Sequence, residues 1–171
     1  MATATPAVAR RVADIDWTRW TAREPATLVF VIRAGQVLLI RKKRGLGAGK
    51  INAPGGRIEP GESPAAGAAR ELHEEIGVRA GPLTRLGDHR FQFVDGYSIY
   101  VHVFRTSAIE GIPVETVEAV PLWYDVGAIP FDEMWEDDRY WVPLVLAGHR
   151  FDGYWIFEGE RMLDHRLDVF D

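Results

Sequence analysis

The 171-residue sequence contains no cysteine, no long hydrophobic run and no excess of basic residues. Without cysteine there can be no disulfide, no thiolate metal ligand and no cysteine nucleophile. No apolar stretch reaches the ~18 residues that a membrane-spanning helix needs, so we expect no membrane partner. Five histidines scattered along the chain argue against a structural zinc site.

The charge balance is acidic, with 25 Asp and Glu residues against 20 Lys and Arg residues and a net charge of −5. Because binding to a nucleic-acid backbone requires basic surface, we expect no nucleic-acid polymer as partner. Hydrophobic residues make up 47% of the chain, which is typical of a globular protein of about one domain. Scattered carboxylates would serve solubility alone, whereas clustered carboxylates would indicate a site.

The sequence predicts an N-terminal extension, residues 1–25, followed by one domain, residues 26–171. The start of the extension is rich in Ala and Arg, as in a transit peptide, but aspartates interrupt that pattern. We therefore expect a cytoplasmic protein. Trp17 and Trp20 lie three residues apart and are expected to attach a short helical turn to the domain.

Apolar and β-branched runs predict the strands of a sheet. The predicted strands are Thr27–Ile32, Gln36–Ile40, Arg90–Val94, Ser98–Arg105, Val120–Val126, His149–Phe157 and Met162–Val169. Residues 33–35 and the Asp95-Gly96 pair are predicted to form turns between neighbouring strands.

Two helices are predicted between these strands. The first covers Ser63–Val78, where Ser63 is a favourable N-cap, Pro64 suits the first helical position and Gly77 suits the left-handed end. The second lies within residues 131–148 and is expected to direct four side chains inward: Tyr140, Trp141, Leu144 and Val145. These elements predict one α/β domain with a mixed sheet and helices on its faces.

The first helix carries Glu71, Glu74 and Glu75 at spacings of three and four residues, which places them on one surface. Crowded carboxylates repel one another unless a cation lies among them. Oxygen ligands without Cys or His favour a hard ion, Mg²⁺ or Mn²⁺. Taken alone, these three residues also suit a solvated helix face.

The segment from Gly56 to Val78 resembles the signature of the Nudix hydrolases. That signature consists of Gly, five residues, Glu, seven residues, Arg-Glu, an aliphatic residue, any residue, Glu-Glu, any residue, Gly and an aliphatic residue. Every fixed position of the signature matches the sequence. The resemblance implies an α/β/α sandwich with a loop–helix–loop catalytic motif. It also implies Mg²⁺-dependent hydrolysis of a nucleoside diphosphate linked to another group.

By motif position, the resemblance implies roles for individual residues. The implied metal ligands are Gly56, Glu71, Glu74 and Glu75 within the motif. Glu118, outside the motif, is implied as an additional ligand or base by the resemblance of the following segments, and the four glutamates are also the catalytic candidates. Glu62 is expected to orient the motif with Arg70 as its ion-pair partner. Either Glu75 or a carboxylate outside the motif can serve as the general base, and the sequence does not decide between them.

Further segments resemble the branch of this family that, in animals, hydrolyses oxidised purine nucleoside triphosphates such as 8-oxo-dGTP and 2-oxo-dATP. These segments are residues 42–52, 101–104, 112–118 and 129–141, together with the closing strands. The resemblance implies that Trp135 stacks on the purine while Asp137 and Asp138 read its edge. The other implied substrate contacts are Thr27, Lys42, Asn52, Phe91 and Phe93.

The sequence leaves other functions open. The site also suits a methylated purine triphosphate, an ADP-sugar or a dinucleotide, because room beyond the β-phosphate cannot be read from sequence. A nucleotide sensor without turnover is a third possibility, although the complete set of motif glutamates argues against it. The sequence does not report the oligomeric state, and we expect a monomer whose partner is a small nucleotide.

Overall fold

A computed structural model describes residues 8–170, so residues 1–7 of the predicted extension and Asp171 lie outside the described residues. The described strands are β1 (Glu24–Arg33), β2 (Gln36–Lys42), β3 (Ile51–Asn52), β4 (Gly55–Arg57), β5 (Arg79–Ala80), β6 (Thr84–Phe93), β7 (Ser98–Thr106), β8 (Ile109–Glu110), β9 (Ala119–Asp125), β10 (Arg150–Glu158) and β11 (Arg161–Phe170). The helices are α1 (Pro64–Ile76) and α2 (Asp138–Ala147), and short 3₁₀ turns occupy Val12–Asp14 and Phe131–Glu133.

The described strands form a mixed sheet of nine strands, with β5 and β8 pairing separately. The order along the sheet is β11-β10-β6-β7-β1-β2-β3, while β4 also pairs with β1 and β9 with β2. Two neighbouring pairs are parallel, β1 with β7 and β10 with β6, and the other pairs are antiparallel. The predicted mixed sheet is thereby confirmed.

The two helices cover opposite faces of the sheet. Helix α1 packs Leu72 and Ile76 against a buried cluster that includes Val29 and Val31 of β1. Helix α2 packs Trp141 against a second cluster that includes Phe30, the residue between those two valines. This alternation follows from the two-residue period of a strand, and it confirms the predicted α/β architecture. No helix in the described part of the chain has the length and hydrophobicity to cross a membrane.

The prediction that Tyr140 points inward is wrong. Its residue surface is 45% exposed, and its ring lies beside His165 of β11 with 4.7 Å between centroids. Trp141 and Val145, four residues apart, form the buried face of α2 as expected. Tyr140 precedes that face by one residue, about 100° around the helix, and so falls outside the interior.

Strand β6 begins at Thr84, six residues before the predicted start at Arg90. A register shift between Arg85 and Gly87 interrupts the alternation of apolar residues from which strands are predicted. Gly87 is required there because a Cβ would collide with the backbone and ring of Phe151 on the neighbouring strand β10. The absence of a side chain therefore allows β10 to pair closely with β6.

Candidate active site

Helix α1 sets the positions of the carboxylates because both of its ends are fixed. The Ser63 hydroxyl accepts a hydrogen bond from the Ala66 N–H at 3.1 Å, and Gly77 ends the helix with a left-handed φ of 75°. The sequence predicted both caps, and only the outermost residues of the predicted helix differ. The helix packs against β4, and the Glu71 carboxyl lies directly beside Gly56 of that strand.

Arg70 holds three carboxylates of the motif, those of Glu62, Glu71 and Glu74, in one network. Its Nε and Nη2 donate to the two carboxylate oxygens of Glu62 at 2.8 and 2.9 Å. Its Nη1 donates to Glu71 at 3.0 Å and to Glu74 at 3.1 Å. The hydrogen bonds from Arg70 lower the pKa of Glu62 to about 2, so Glu62 stays ionised. This bidentate ion pair between Arg70 and Glu62 attaches the loop that precedes α1 to the helix.

Glu75 is the most deeply buried acid of the helix, with 3% of its surface exposed. Its Oε1 accepts a hydrogen bond from the Gly55 N–H at 2.7 Å. Burial raises the pKa of Glu75 to about 7, and Glu71 and Glu118 add repulsion in the same direction. Burial likewise raises the pKa of Glu71. A nearby cation would relieve this cost, since a positive charge favours the ionised carboxylates.

The donor set of this cluster suits a divalent cation. It consists of carboxylate oxygens beside a glycine backbone, which hard ions such as Mg²⁺ prefer. A Cβ at position 56 would collide with the carboxyl of Glu71, so glycine keeps this space clear. Among residues 8–170, no three Asp, Glu, His or Cys side chains converge tightly enough to form a preassembled metal cage. Arg70 binds Glu71 and Glu74 instead, while Glu75 accepts from Gly55.

Glu118 approaches the same cluster from the loop before β9. It interacts electrostatically with both Glu71 and Glu75, and its carboxylate pairs with Arg44 at 3.1 Å. Lys42, at the end of β2, donates its ammonium to the Leu46 carbonyl at 2.9 Å and lowers the pKa of Glu75. A carboxylate group and a lysine therefore lie at one end of the site.

A cavity of about 130 Å³ extends from this cluster into the domain. It contacts Gly56 and Glu75 at the catalytic end, as well as all eight residues predicted to bind substrate: Thr27, Lys42, Asn52, Phe91, Phe93, Trp135, Asp137 and Asp138. Glu71, Glu74 and Glu118 lie outside the cavity wall. Of these three, Glu74 is the most exposed, with half of its side-chain surface accessible.

Aromatic side chains form the walls of the cavity. Trp135 makes edge contacts with Phe93 and Phe157 at centroid distances of 6.4 and 5.7 Å. The Lys50 ammonium lies 5.4 Å from the centre of the Trp135 ring. The glycine-rich loop also contacts this tryptophan, because a Cβ at Gly47 would lie 2.8 Å from its Nε1. A flat ligand can stack against this surface, an interaction worth about 1–3 kcal/mol per nucleobase.

The two aspartates at the inner end of the cavity are buried and differ in their hydrogen bonding. Asp137 Oδ2 accepts from the Trp141 indole N–H at 2.8 Å. Asp138 Oδ2 is buried with no partner within the described part of the chain. Burial raises the pKa of Asp137 to about 6 and that of Asp138 well above its usual value, with repulsion from Asp137 adding to the second effect. The Trp141 bond favours the anion of Asp137, while repulsion from Asp137 raises the pKa of Asp138 further, so the pair favours Asp137 as the ionised member and Asp138 as the protonated one.

Thr27 and Asn52 are tied to the local backbone at the cavity wall. Thr27 is buried, and its hydroxyl lies 3.5 Å from the Gly56 carbonyl. Asn52 Oδ1 accepts from the Ala53 N–H at 2.9 Å. These bonds fix the orientation of both side chains before any ligand binds.

Sequence reasoning missed several residues of the cavity wall. Trp141 was predicted only as a core residue, yet it lines the cavity and bonds Asp137. Phe157 was placed in a closing strand, but parallel pairing sets it opposite Phe93. The alternation of aromatic residues along β10 was a usable signal. Its pairing partner, however, is more than 60 residues away in sequence and cannot be inferred from a local pattern.

The buried carboxyl of Asp138 should reduce stability as the pH rises. An acid whose pKa is raised in the folded state contributes stability below its unfolded pKa and loses it as the pH rises through the folded value. Asp138→Asn removes the ionisation and should raise the free energy of unfolding by about 1–3 kcal/mol at pH 8. The difference in free energy of unfolding between this variant and the wild type, measured by urea unfolding, should become smaller towards pH 4. An advantage that does not change with pH would contradict this assignment.

Comparison with known proteins places the chain in a family. The model of the NUDIX domain matches residues 22–145, and the chain belongs to the Nudix family. It is a Nudix hydrolase, an enzyme that hydrolyses pyrophosphate bonds in nucleotides, and this family generally uses divalent metal ions.

Two curated relatives and one crystal structure are similar to most of the chain. The chain is 44% identical over 144 residues to the oxidized purine nucleoside triphosphate hydrolase of Danio rerio, covering 83% of this chain and 92% of the relative. It is 41% identical over 135 residues to the protein of the same name from Mus musculus, covering 78% and 86%. The crystal structure of a MutT protein from Bacillus halodurans has a TM-score of 0.77 at 26% identity, covering 85% of this chain and 97% of that one.

Proposed function

We propose that the protein hydrolyses oxidised purine nucleoside triphosphates to the monophosphate and pyrophosphate, with 8-oxo-dGTP and then 2-oxo-dATP as the leading substrates. Such an activity removes damaged nucleotides from the pool available for DNA synthesis. The relatives in Danio rerio and Mus musculus carry names that describe this substrate class. The observation that carries the proposal is a single cavity that contacts Glu75 at one end and Trp135, Asp137 and Asp138 at the other.

The base-binding end has the hydrogen-bonding groups needed to distinguish purines. Protonated Asp138 can donate to a purine carbonyl, while ionised Asp137 accepts from ring N–H groups. Trp135 supplies stacking that does not depend on the identity of the base. Phe91 and Phe93 exclude water from this end, and Asn52 contributes a further polar contact at the base edge. The same pair of acids can thus accommodate more than one oxidised purine.

The catalytic end is proposed to bind Mg²⁺, with Mn²⁺ as a substitute, through Gly56, Glu71, Glu74, Glu75 and Glu118. A bound divalent ion supplies charge neutralisation for the phosphates and lowers the pKa of the attacking water. The protein contributes the positions of the ligands: Arg70 and Glu62 fix the motif, and the Gly55 N–H orients Glu75. Lys42 places a positive charge beside the phosphates. Glu75, or a carboxylate outside the motif, takes the proton.

A substrate panel distinguishes this function from the alternatives. The protein is incubated with Mg²⁺ and, separately, with 8-oxo-dGTP, 2-oxo-dATP, a methylated purine triphosphate, an ADP-sugar and a dinucleotide. Products are identified by mass spectrometry. We expect the two oxidised triphosphates to be consumed fastest, with release of monophosphate and pyrophosphate. Faster cleavage of the methylated nucleotide, the ADP-sugar or the dinucleotide would contradict the proposed substrate class and identify the preferred substrate instead.

Three further expectations accompany this proposal. We propose that the protein is a cytoplasmic monomer, that it binds neither a nucleic-acid polymer nor a membrane, and that its domain boundary falls between residues 25 and 26. This proposed boundary lies two residues inside the first described strand, which begins at Glu24, and four residues after the start of the family match at residue 22. Light scattering coupled to size-exclusion chromatography tests the monomer.

A further inference from the structure

The N-terminal segment, defined here as residues 10–23, lies along the sheet beyond the region covered by α1. Arg10 pairs with Glu158 at 2.9 Å, and the Val12 N–H donates to Asp164 at 2.8 Å. The Trp17 ring makes an edge contact with Tyr154, with 5.0 Å between centroids. These contacts attach the segment to β10 and β11, which agrees with the expectation that Trp17 attaches a short turn to the domain.

Trp20 makes a different contact, to the hairpin formed by β6 and β7. Its indole N–H donates to Gln92 Oε1 at 2.8 Å. The amide nitrogen of Gln92 then donates to the backbone carbonyls of Phe93 and Tyr97 at 2.9 and 3.2 Å. Trp20 therefore orients a side chain that bridges the two ends of this turn.

The hairpin connects that contact to the nucleobase cavity. Gln92 and Phe93 are consecutive residues of β6, so their side chains point to opposite faces of the sheet. Phe93 lies in the cavity wall, where it contacts Trp135 and, at 5.6 Å between ring centroids, Phe157. Its ring also packs on Tyr97 at 5.5 Å. A displacement of the hairpin would therefore move one wall of the cavity.

The segment holds the other strand of the hairpin as well. The Arg23 N–H donates to the Ser98 hydroxyl at 2.8 Å. Ser98 begins β7 and is the antiparallel partner of Gln92. Residues 20 and 23 thus each contact one strand of the same hairpin, immediately before the chain enters β1.

We propose that Trp20 is a positioning residue for the nucleobase cavity, acting through Gln92 on the hairpin that carries Phe93. The proposal relies on the proposed function only for the identity of the ligand. It assigns the N-terminal segment a part in substrate binding that none of the motif residues supplies. The effect should fall on binding of the base, since Glu75 lies at the other end of the cavity and the other carboxylates of α1 lie outside its wall.

The test compares Trp20→Phe with Trp17→Phe. Both variants lose one indole N–H, but that of Trp17 donates to the Val12 carbonyl within the segment itself. We expect Trp20→Phe to raise KM for 8-oxo-dGTP about 2–10-fold, the factor for one lost hydrogen bond, with kcat unchanged. Trp17→Phe should leave KM within twofold of the wild type. Equal changes in the two variants, or a change in kcat without one in KM, would overturn the proposal.

A double-mutant cycle with Gln92→Leu tests the route. If Trp20 acts through Gln92, adding Trp20→Phe to Gln92→Leu should produce no further rise in KM. Additive effects would overturn the proposed route. Hydrogen–deuterium exchange without nucleotide supplies a readout that stays valid even if 8-oxo-dGTP is not the substrate. The amides of residues 93–98 should exchange faster in Trp20→Phe than in Trp17→Phe, and equal rates would contradict positioning of the hairpin.

Discussion

Glu75→Gln should lower kcat for nucleotide hydrolysis at least ~100-fold while leaving the fold intact. The substitution removes the charge of the most buried acid on α1 but keeps an oxygen that can accept from the Gly55 N–H. Loss of an anionic ligand at a divalent-metal site removes several kcal/mol of transition-state stabilisation, and each ~1.4 kcal/mol corresponds to a factor of ten in rate. Single-turnover kinetics with saturating Mg²⁺ measures the loss of the chemical step directly.

A matched control separates this effect from a general change of charge. Glu110→Gln makes the same chemical change at an exposed residue of β8 and should retain wild-type kcat. Unchanged thermal unfolding of Glu75→Gln would show that its fold is preserved. If Glu75→Gln bound nucleotide and turned it over at the wild-type rate, the carboxylate cluster would have no catalytic role. If the wild type itself had no turnover, the sensor hypothesis would apply.

The two aspartates of the base pocket should respond unequally to replacement by asparagine. Asp137 accepts from Trp141 and is assigned as the anion, so Asp137→Asn should remove a charge-assisted hydrogen bond to the base. We expect kcat/KM for 8-oxo-dGTP to fall about 10–100-fold in this variant. Asp138→Asn imitates a protonated carboxyl, which keeps a donor, and should cost less than about fivefold. Steady-state kinetics at pH 7 compares the two variants.

The pH dependence supplies an independent check on this pair. Ionisation of Asp138 at high pH removes the donor, so kcat/KM of the wild type for 8-oxo-dGTP should decline as the pH rises through its raised pKa. Asparagine cannot ionise, and Asp138→Asn should therefore lack that decline. Equal losses in the two asparagine variants at pH 7 would show that the protonated and ionised roles are assigned incorrectly.

Much of the catalytic helix could be predicted from sequence because its signals are local. Ser63, Pro64 and Gly77 each favour one position at a helix end, and the spacing of the glutamates follows from the 3.6-residue turn. Which strand residues face each side of the sheet could also be predicted, since successive side chains of a strand point to opposite faces. These features depend on residues that are neighbours in sequence, within about one or two helical turns.

The cavity walls required information that local patterns do not contain. Phe157 lines the cavity only because β10 pairs in parallel with β6, and that pairing depends on Gly87 admitting Phe151. Trp141 was expected to be buried for packing alone, but its indole N–H also donates to Asp137 and favours the ionised form of that carboxyl. The contact between Trp20 and Gln92 joins residues 72 positions apart. In each case, the decisive partner is distant in sequence.

The measurement that tests the central claim most directly is the ratio of kcat/KM for 8-oxo-dGTP to kcat/KM for dGTP, determined with the wild-type protein and Mg²⁺. The two substrates share their sugar and phosphates, so the carboxylate cluster of α1 treats them alike. Only the base-binding end can separate them, through Trp135 and the two aspartates. We expect a clear preference for 8-oxo-dGTP, with about 10-fold or more discrimination from hydrogen bonds to the base edge. Equal kcat/KM values, or a preference for dGTP, would contradict the proposed function.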